Sequence, residues 1–290
     1  MTRRRGFTLT ELVVALAAGS LLVLTSAAWL QLSGRQARSV QAALELQEVV
    51  RTALDLLEND VRGAGAFGLA GPNATWSDTI PLGSAEPALL PVGGRCITGL
   101  AHDLTHPVQW RRWASGTAWP LLCAAGPDGR AMPDSDLLLV RRALGTVTAV
   151  DRGVLWVATT PLGGSLRSDT PPANSATTTA NVPTSARLEV SAFYVSRDAT
   201  GTRNLPSLRR KRLTGGTTGP AFEDEELVPG IERLQVQLAP SPPEAGARLL
   251  TLTVSARSLR RQSAAGDGYL RLEARRLVYL RNARATPWTD

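Results

Sequence analysis

Residues 3–30 read RRRGFTLTELVVALAAGSLLVLTSAAWL, and this stretch decides how the rest of the chain is organised. Arg3, Arg4 and Arg5 end at Gly6. Phe7-Thr8-Leu9-Thr10 follows, and then one carboxylate, Glu11. From Leu12 to Leu30 no side chain is charged, and the run is interrupted only by Gly19, Ser20, Thr25 and Ser26. At about 1.5 Å per residue this run spans roughly 28 Å as a helix, close to a bilayer core of about 30 Å. The segment at about 12–30 is therefore read as membrane-spanning. The positive-inside rule keeps the three arginines cytoplasmic and sends the rest of the chain out of the cytoplasm.

Glu11 needs its own explanation. A carboxylate at the edge of a membrane span is costly without a partner. Its place in the first helical turn is favourable to an anion, because the macrodipole is positive there. A secretory signal peptide would share the arginines and would end near Ser26-Ala27-Ala28. A simple anchor would share the apolar run. Neither accounts for a glutamate directly before that run, behind Gly-Phe-Thr-Leu-Thr.

The arrangement resembles the class III signal of type IV pilins and pseudopilins. The resemblance implies that a prepilin peptidase cuts between Gly6 and Phe7. It also implies N-methylation of Phe7, retention of the apolar segment, and docking of Glu11 on the positive amino terminus of a neighbouring subunit. Residues 1–6 are then a leader, and 7–63 a single long helix.

The helical pattern continues beyond the apolar run. Ala43, Leu46, Val50, Leu54, Leu57 and Val61 recur every three or four residues and form one apolar face. Glu45, Glu48, Arg51, Asp55, Glu58 and Arg62 occupy the remainder, with Arg51–Asp55 and Glu58–Arg62 at the i,i+4 spacing. Gly63 and Gly65 end the helix, and Gly34 marks the junction between its halves. The stretch ELQEVVRTALDLLENDVRGAGAFG looks like the PilW family of minor pilins, whose helix ends in a comparable Arg-x-Ala-Gly-aromatic-Gly turn. Arg62, Gly63, Ala64, Gly65, Phe67 and Gly68 match it loosely, since Ala66 intervenes.

Formal net charge is +7, of which the leader arginines supply three, leaving +4. Lys211 is the only lysine. A moderate, scattered positive charge does not mark a nucleic-acid-binding protein. The two cysteines, Cys96 and Cys123, are separated by 26 residues. An extracytoplasmic head permits a disulfide between them, worth about 3 kcal/mol by loop entropy.

Residues 64–135 read as an irregular insert rich in Gly, Pro and Trp, and 136–290 as a β-rich head. Strands are expected at 136–142, 146–150 and 154–159, with Asp151-Arg152-Gly153 as a turn. Residues 165–186 are polar and read as a flexible surface loop. RLEVSAFYVS alternates, placing Leu188, Val190, Ala192 and Tyr194 on one face and Phe193 and Val195 on the other. Asn204–Arg210 and Glu226–Val236 look like segments of the PilW family. Final strands are expected at 248–257 and 269–280.

No motif points to catalysis. His102 and His106 lie between the cysteines, and the four together could ligate zinc. Neither cysteine sits in a Cys-x2-Cys pair, however, and an oxidising compartment favours the disulfide, leaving two solvated loop histidines. Glu223-Asp224-Glu225-Glu226 is contiguous and lacks the alternating ligands and turn glycine of a calcium loop. Arg209-Arg210-Lys211-Arg212 is a candidate DNA contact, but it has no interleaved aromatics. It can instead answer the acidic run across a hairpin. No Walker loop and no Gly-x-Ser-x-Gly is present.

The expected fold is α+β: a pilin fold in which a long N-terminal helix packs its second half on a C-terminal antiparallel β-sheet domain. The expected role is non-enzymatic, with no cofactor and no metal: a minor pilin taking part in assembly or priming of type IV pili. The alternatives are a J-type minor pseudopilin of type II secretion, or a DNA-uptake or adhesive subunit using Arg209–Arg212 or the 70–135 region. Expected partners are other minor and major pilins, the prepilin peptidase, the inner-membrane assembly platform and membrane lipid; nucleic acid is not expected. The chain is placed as a single-pass inner-membrane protein with a periplasmic head, and then in the filament or at its tip.

Overall fold

The structure is a computed structural model that describes residues 8–71, 73–77, 99–115, 117, 119, 121, 131–145, 153–168, 184–215, 219–239, 248–261, 266–283 and 285–287. Helix α1 runs Leu9–Gly63, 55 residues, about 82 Å at 1.5 Å per residue. Its first half is apolar on all sides and exposed along its length. The few hydroxyls there turn back on the helix. Ser20 Oγ donates to the carbonyl of Ala17 (2.9 Å), Thr25 Oγ1 to that of Leu21 (3.0 Å) and Ser26 Oγ to that of Leu22 (2.7 Å). Such bonds satisfy the hydroxyls inside a bilayer, where water is not available.

From residue 42 the helix lies on the head. Ala42, Leu46, Val50, Ala53, Leu54, Leu57 and Val61 are buried. Ala43, expected on this face, is exposed, and Ala42 takes its place. The reason is geometric: 42, 46 and 50 form one i+4 row, and the helix meets the head along that row first. Burying a Leu or Val contributes about 1.5–3 kcal/mol each, so this row holds the helix down by on the order of 10 kcal/mol. The chain then turns at Gly65, whose φ of +74 suits glycine. Its N–H donates to the Arg141 carbonyl at 2.9 Å.

The remaining elements are β1 (Thr75–Ser77), α2 (Gly99–His102), β2 (Val108–Trp113), β3 (Ser135–Leu144), β4 (Trp156–Thr159) and β5 (Gly163–Arg167). After these come β6 (Thr184–Ser196), β7 (Ser207–Gly215), β8 (Pro220–Pro229), β9 (Ile231–Leu238), β10 (Leu249–Arg257), β11 (Arg271–Tyr279) and β12 (Ala285–Pro287). One sheet runs β1-β5-β4-β6-β3-β2-β12, with β7 and β8 branching from β6; a second runs β11-β10-β9. The long strand β6 makes the branch possible. One of its edges pairs with β4 over residues 184–187 and with β7 over 191–196, while the other carries β3.

Three expectations change here. The region 64–135 is not wholly irregular, because it contributes β1, α2 and β2. The strand β2 was hidden by its charges, since VQWRRW pairs along β3 with Arg112 held to Asp136 at 3.0 Å. The sheet is not wholly antiparallel either: β1 pairs parallel with β5, and β12 parallel with β2. The polar loop at 165–186 is shortened at both ends, by β5 and β6. The strand expected at 146–150 lies outside the described residues.

Alternation on β6 separates two cores. Phe193 and Val195 join Leu46, Val50, Leu57, Ile231, Leu252 and Val254 beneath α1. Leu188, Val190, Ala192 and Tyr194 face the other way, among Phe67, Leu100, Leu104, Leu121, Leu137 and Leu139. The large sheet is thus buried on both faces, by α1 with the small sheet on one side and by the α2 region on the other. At the seam between sheets, Leu234 N–H donates to Ser135 Oγ (3.0 Å) and Val236 N–H to Asp136 Oδ2 (2.7 Å).

Candidate functional site

The start of α1 is built by Thr8 and Glu11. Thr8 caps the helix in an extended conformation. Its N–H donates to Glu11 Oε2 at 2.9 Å, its hydroxyl lies 3.0 Å from the same oxygen, and Glu11 N–H points at the hydroxyl at 3.4 Å. This is a reciprocal capping box. It fixes the Glu11 side chain at the head of the apolar run and uses only one carboxylate oxygen. The sequence signal for it is Thr-x-x-Glu at 8–11, which a reading focused on charge passes over. The two residues flanking the expected cut, Gly6 and Phe7, lie outside the described residues. So do Cys96 and Cys123.

The far end of the helix is fixed by charge. Asp60 sits in the last turns, where the macrodipole disfavours an anion. Two guanidiniums from the sheet answer it: Arg142 at 2.8 Å and Arg210 at 3.3 Å. Arg142 also holds Glu189 at 2.6 Å, and Arg212 reaches Glu189 at 3.2 Å. Burial pushes the Asp60 carboxyl above its ordinary range, while Arg142 and Arg210 pull it back. On the flank, Arg276 of β11 binds both Asp55 and Glu58, the latter at 2.5 Å. The two i,i+4 pairs read from the sequence are present, Arg51–Asp55 at 3.8 Å and Glu58–Arg62 at 2.5 Å.

The basic run and the acidic run face each other across the β7–β8 hairpin. Arg209 stands opposite Glu226, Arg210 opposite Glu225, Lys211 opposite Asp224 and Arg212 opposite Glu223. Arg209 reaches Asp224 (2.7 Å) and Glu226 (3.1 Å), Lys211 reaches Asp224 (2.8 Å), and Arg210 reaches Glu225 (2.5 Å). Arg209 and Lys211 are only 6% exposed. Tyr194 donates its hydroxyl to Asp224, and burial together with that carboxylate raises the phenol well above its usual range. Burial alone would raise Asp224; hydrogen bonds from Lys211, Tyr194 and Arg209 outweigh it and hold the carboxyl below its ordinary value. Cations already answered by these carboxylates have less charge to offer a phosphate backbone, although Arg212 keeps 40% of its side chain exposed.

The histidines separate. His106 is about half exposed and bonded to Asp103 at 3.2 Å. His102, expected to be solvated, is fully buried in α2, and among the described residues neither ring nitrogen has a hydrogen-bond partner. A helix of only four residues leaves no periodic trace in the sequence. Burial lowers its pKa. Beneath α2 lies Arg141, also fully buried, which donates to the carbonyls of Leu100 (2.9 Å) and His106 (2.7 Å) and to Gln109 Oε1 (2.9 Å). Burial lowers its pKa to about 10 against the pull of Asp103. Arg141 thus anchors the α2 region to β3. Among the described residues no cluster of His, Cys, Asp and Glu is disposed to hold a metal.

The prokaryotic N-terminal methylation motif matches the chain over residues 1–27. That span includes Gly6, Phe7 and Glu11 and most of the apolar run. No curated protein and no solved structure matches the chain. The chain carries a prepilin-type signal of the type IV pilin kind, followed by an apolar helix suited to membrane anchoring, and in general terms that signal implies a prepilin peptidase and other pilins as partners.

Proposed function

We propose that the chain is a minor pilin, PilW-like, which enters or primes a type IV pilus through its N-terminal helix and has no enzymatic activity. The observation that carries this reading is the prepilin-type signal standing at the start of a 55-residue helix of which only the second half is covered by the head. The uncovered half is long and apolar enough to sit in a bilayer and then among the helices of like subunits. Glu11, oriented by Thr8, keeps one oxygen for the amino terminus of a neighbour. A head with two sheets is bulky for a subunit repeated at every step of a filament, which favours an initiating or tip position. The leader then faces the cytoplasm and the head the periplasm.

Mass spectrometry of the mature protein tests the reading. The chain should begin at an N-methylated Phe7. A terminus near Trp29 would mean an ordinary signal peptide and end the proposal. Deletion should abolish or thin surface pili; loss of type II secretion with normal pili would assign the protein to a pseudopilus instead.

A further inference from the structure

One end of the head faces the membrane, and the helix fixes which. Helix α1 climbs from its apolar half to Asp60 and Gly63, which lie beside Arg142 near the end of β3. Relative to that direction β3, β7, β9 and β11 rise, and β6, β8 and β10 descend. The connections after β6, β8 and β10 therefore lie at the lower end. They touch one another. Gly230 N–H donates to the Pro206 carbonyl (2.7 Å), Arg257 donates to the Asn204 carbonyl, and Gly230 lies against Leu259 and against Val49 of α1.

Four arginines stand exposed on these connections: Arg197, Arg203, Arg260 and Arg261. Among the described residues none of the four meets a carboxylate, because the acids nearby are taken. Glu232 holds Arg271 (2.8 Å) and Arg257 (3.5 Å), and Asp267 holds Arg271 (2.5 Å). Arg38 of α1 adds a fifth exposed cation, and the exposed acids left to oppose them are Asp134 at the foot of β3 and Glu45 and Glu48 of α1. The surplus is positive. Apolar groups stand among the cations: Leu259 is 59% and Leu270 37% exposed, and the Tyr269 ring takes the Arg257 and Arg261 guanidiniums at 4.5 and 5.6 Å. Arginine, an aromatic ring and leucine side by side suit the headgroup layer of a bilayer.

The layer is within reach. The head first covers α1 at Ala42, twelve residues beyond Leu30, or about 18 Å for an upright helix. Headgroups fill about 5–7 Å of that distance. A tilt of about 20° toward the head is ordinary for a membrane helix and lowers the turns further. What remains is comparable to an arginine side chain and to the screening length of about 8 Å.

We infer that this end of the head, through Arg197, Arg203, Arg260 and Arg261, docks on anionic phospholipid headgroups of the leaflet from which α1 emerges. The anchor selects the occupant: it holds these turns toward the lipid and keeps Leu162, in the β4–β5 turn at the opposite end, away from it. Unpaired cations on that side meet a negatively charged surface. Docking leans α1 toward the lower turns and holds the head low while the subunit is in the membrane. This rests on the pilin-like reading only for the membrane anchor.

The test uses the mature full-length chain, reconstituted in phosphatidylcholine vesicles with or without one third phosphatidylglycerol. A photo-cross-linking residue replaces Leu259, or Leu162 as a control, and lipid adducts are measured by mass spectrometry. In the anionic vesicles position 259 should give about fivefold more lipid adduct than position 162, and more than in phosphatidylcholine alone. The combined change Arg197→Glu, Arg203→Glu and Arg260→Glu should lower the adduct at 259 about threefold, as should raised salt. Lysine at the same three positions should retain most of it, which separates loss of charge from loss of fold. Equal capture at 259 and 162, capture indifferent to phosphatidylglycerol and to charge reversal, or adducts formed only between two copies of the chain would each overturn the inference. The mature terminus is read on the same samples. A chain that begins at Phe7 but gives no lipid adduct at 259 loses this inference and keeps the pilin reading, whereas a chain that begins near Trp29 loses the anchor on which both rest.

Discussion

Asp60 and Arg142 form an ion pair of 2.8 Å, with only 5% and 14% of their side chains exposed. The pair joins the last turns of α1 to the centre of the large sheet. Its position resolves an apparent fault, a carboxylate at the wrong end of a helix dipole. Arg142 and Arg210 supply the charge that the dipole lacks there, and Glu189 balances them.

Asp60→Ala should therefore leave two guanidiniums partly unmatched under the helix. Breaking a buried pair costs about 3–5 kcal/mol, and here Glu189 and Glu225 retain part of the charge balance, so a loss of roughly 2–3 kcal/mol is expected. Denaturant unfolding of the full-length chain in micelles, followed by circular dichroism, measures it. A loss below about 0.5 kcal/mol would mean that apolar packing alone docks the helix end.

Gly65 and Gly34 should respond in opposite directions to the same change. A Cβ on Gly65 would lie 2.6 Å from the Asn282 carbonyl oxygen, at a φ of +74. Gly65→Ala should destabilise by about 2 kcal/mol or more. Gly34 has nothing within 4 Å of its Cβ position, and Gly34→Ala should strengthen the helix by about 1 kcal/mol. Thermal melts of the two variants compare them directly.

His102 should make the head sensitive to acid. Its folded pKa lies below the ordinary value of 6.5 because burial penalises the charged ring. The unfolded chain then binds the extra proton more readily, so stability is complete above about pH 6.5 and falls as the pH drops below it. His102→Phe should flatten this part of the stability–pH curve. Unfolding midpoints at pH 7.5 and 5.5 for both proteins provide the check, and identical slopes would refute the assignment.

Glu11→Ala should leave the protein processed and stable in the membrane, since removing the charge lowers the insertion cost. Assembly should suffer: fewer pili and weaker cross-linking to partner pilins at unchanged protein level. Normal piliation would reduce Glu11 to the helix-cap role that Thr8 already gives it.

The sequence by itself determined the long helix, its division into an all-apolar half and an amphipathic half, and the signal at its head. Each of these is written in local order, as an unbroken apolar run, a 3.6-residue period and a glycine stop. It also determined the two faces of β6, because strict alternation survives wherever a strand meets a different core on each side. Only the tertiary structure decided that β2 and β12 close the large sheet, that the cations of β7 are matched by the acids of β8 and by Asp60, and that His102 is buried. Short strands with charged residues carry no period, and a charge run reads the same whether solvent or a partner strand faces it. Asp60 meets Arg142 and Arg210 across 82 and 150 positions, and that encounter is fixed by how the helix lies on the sheet, not by any pattern near residue 60.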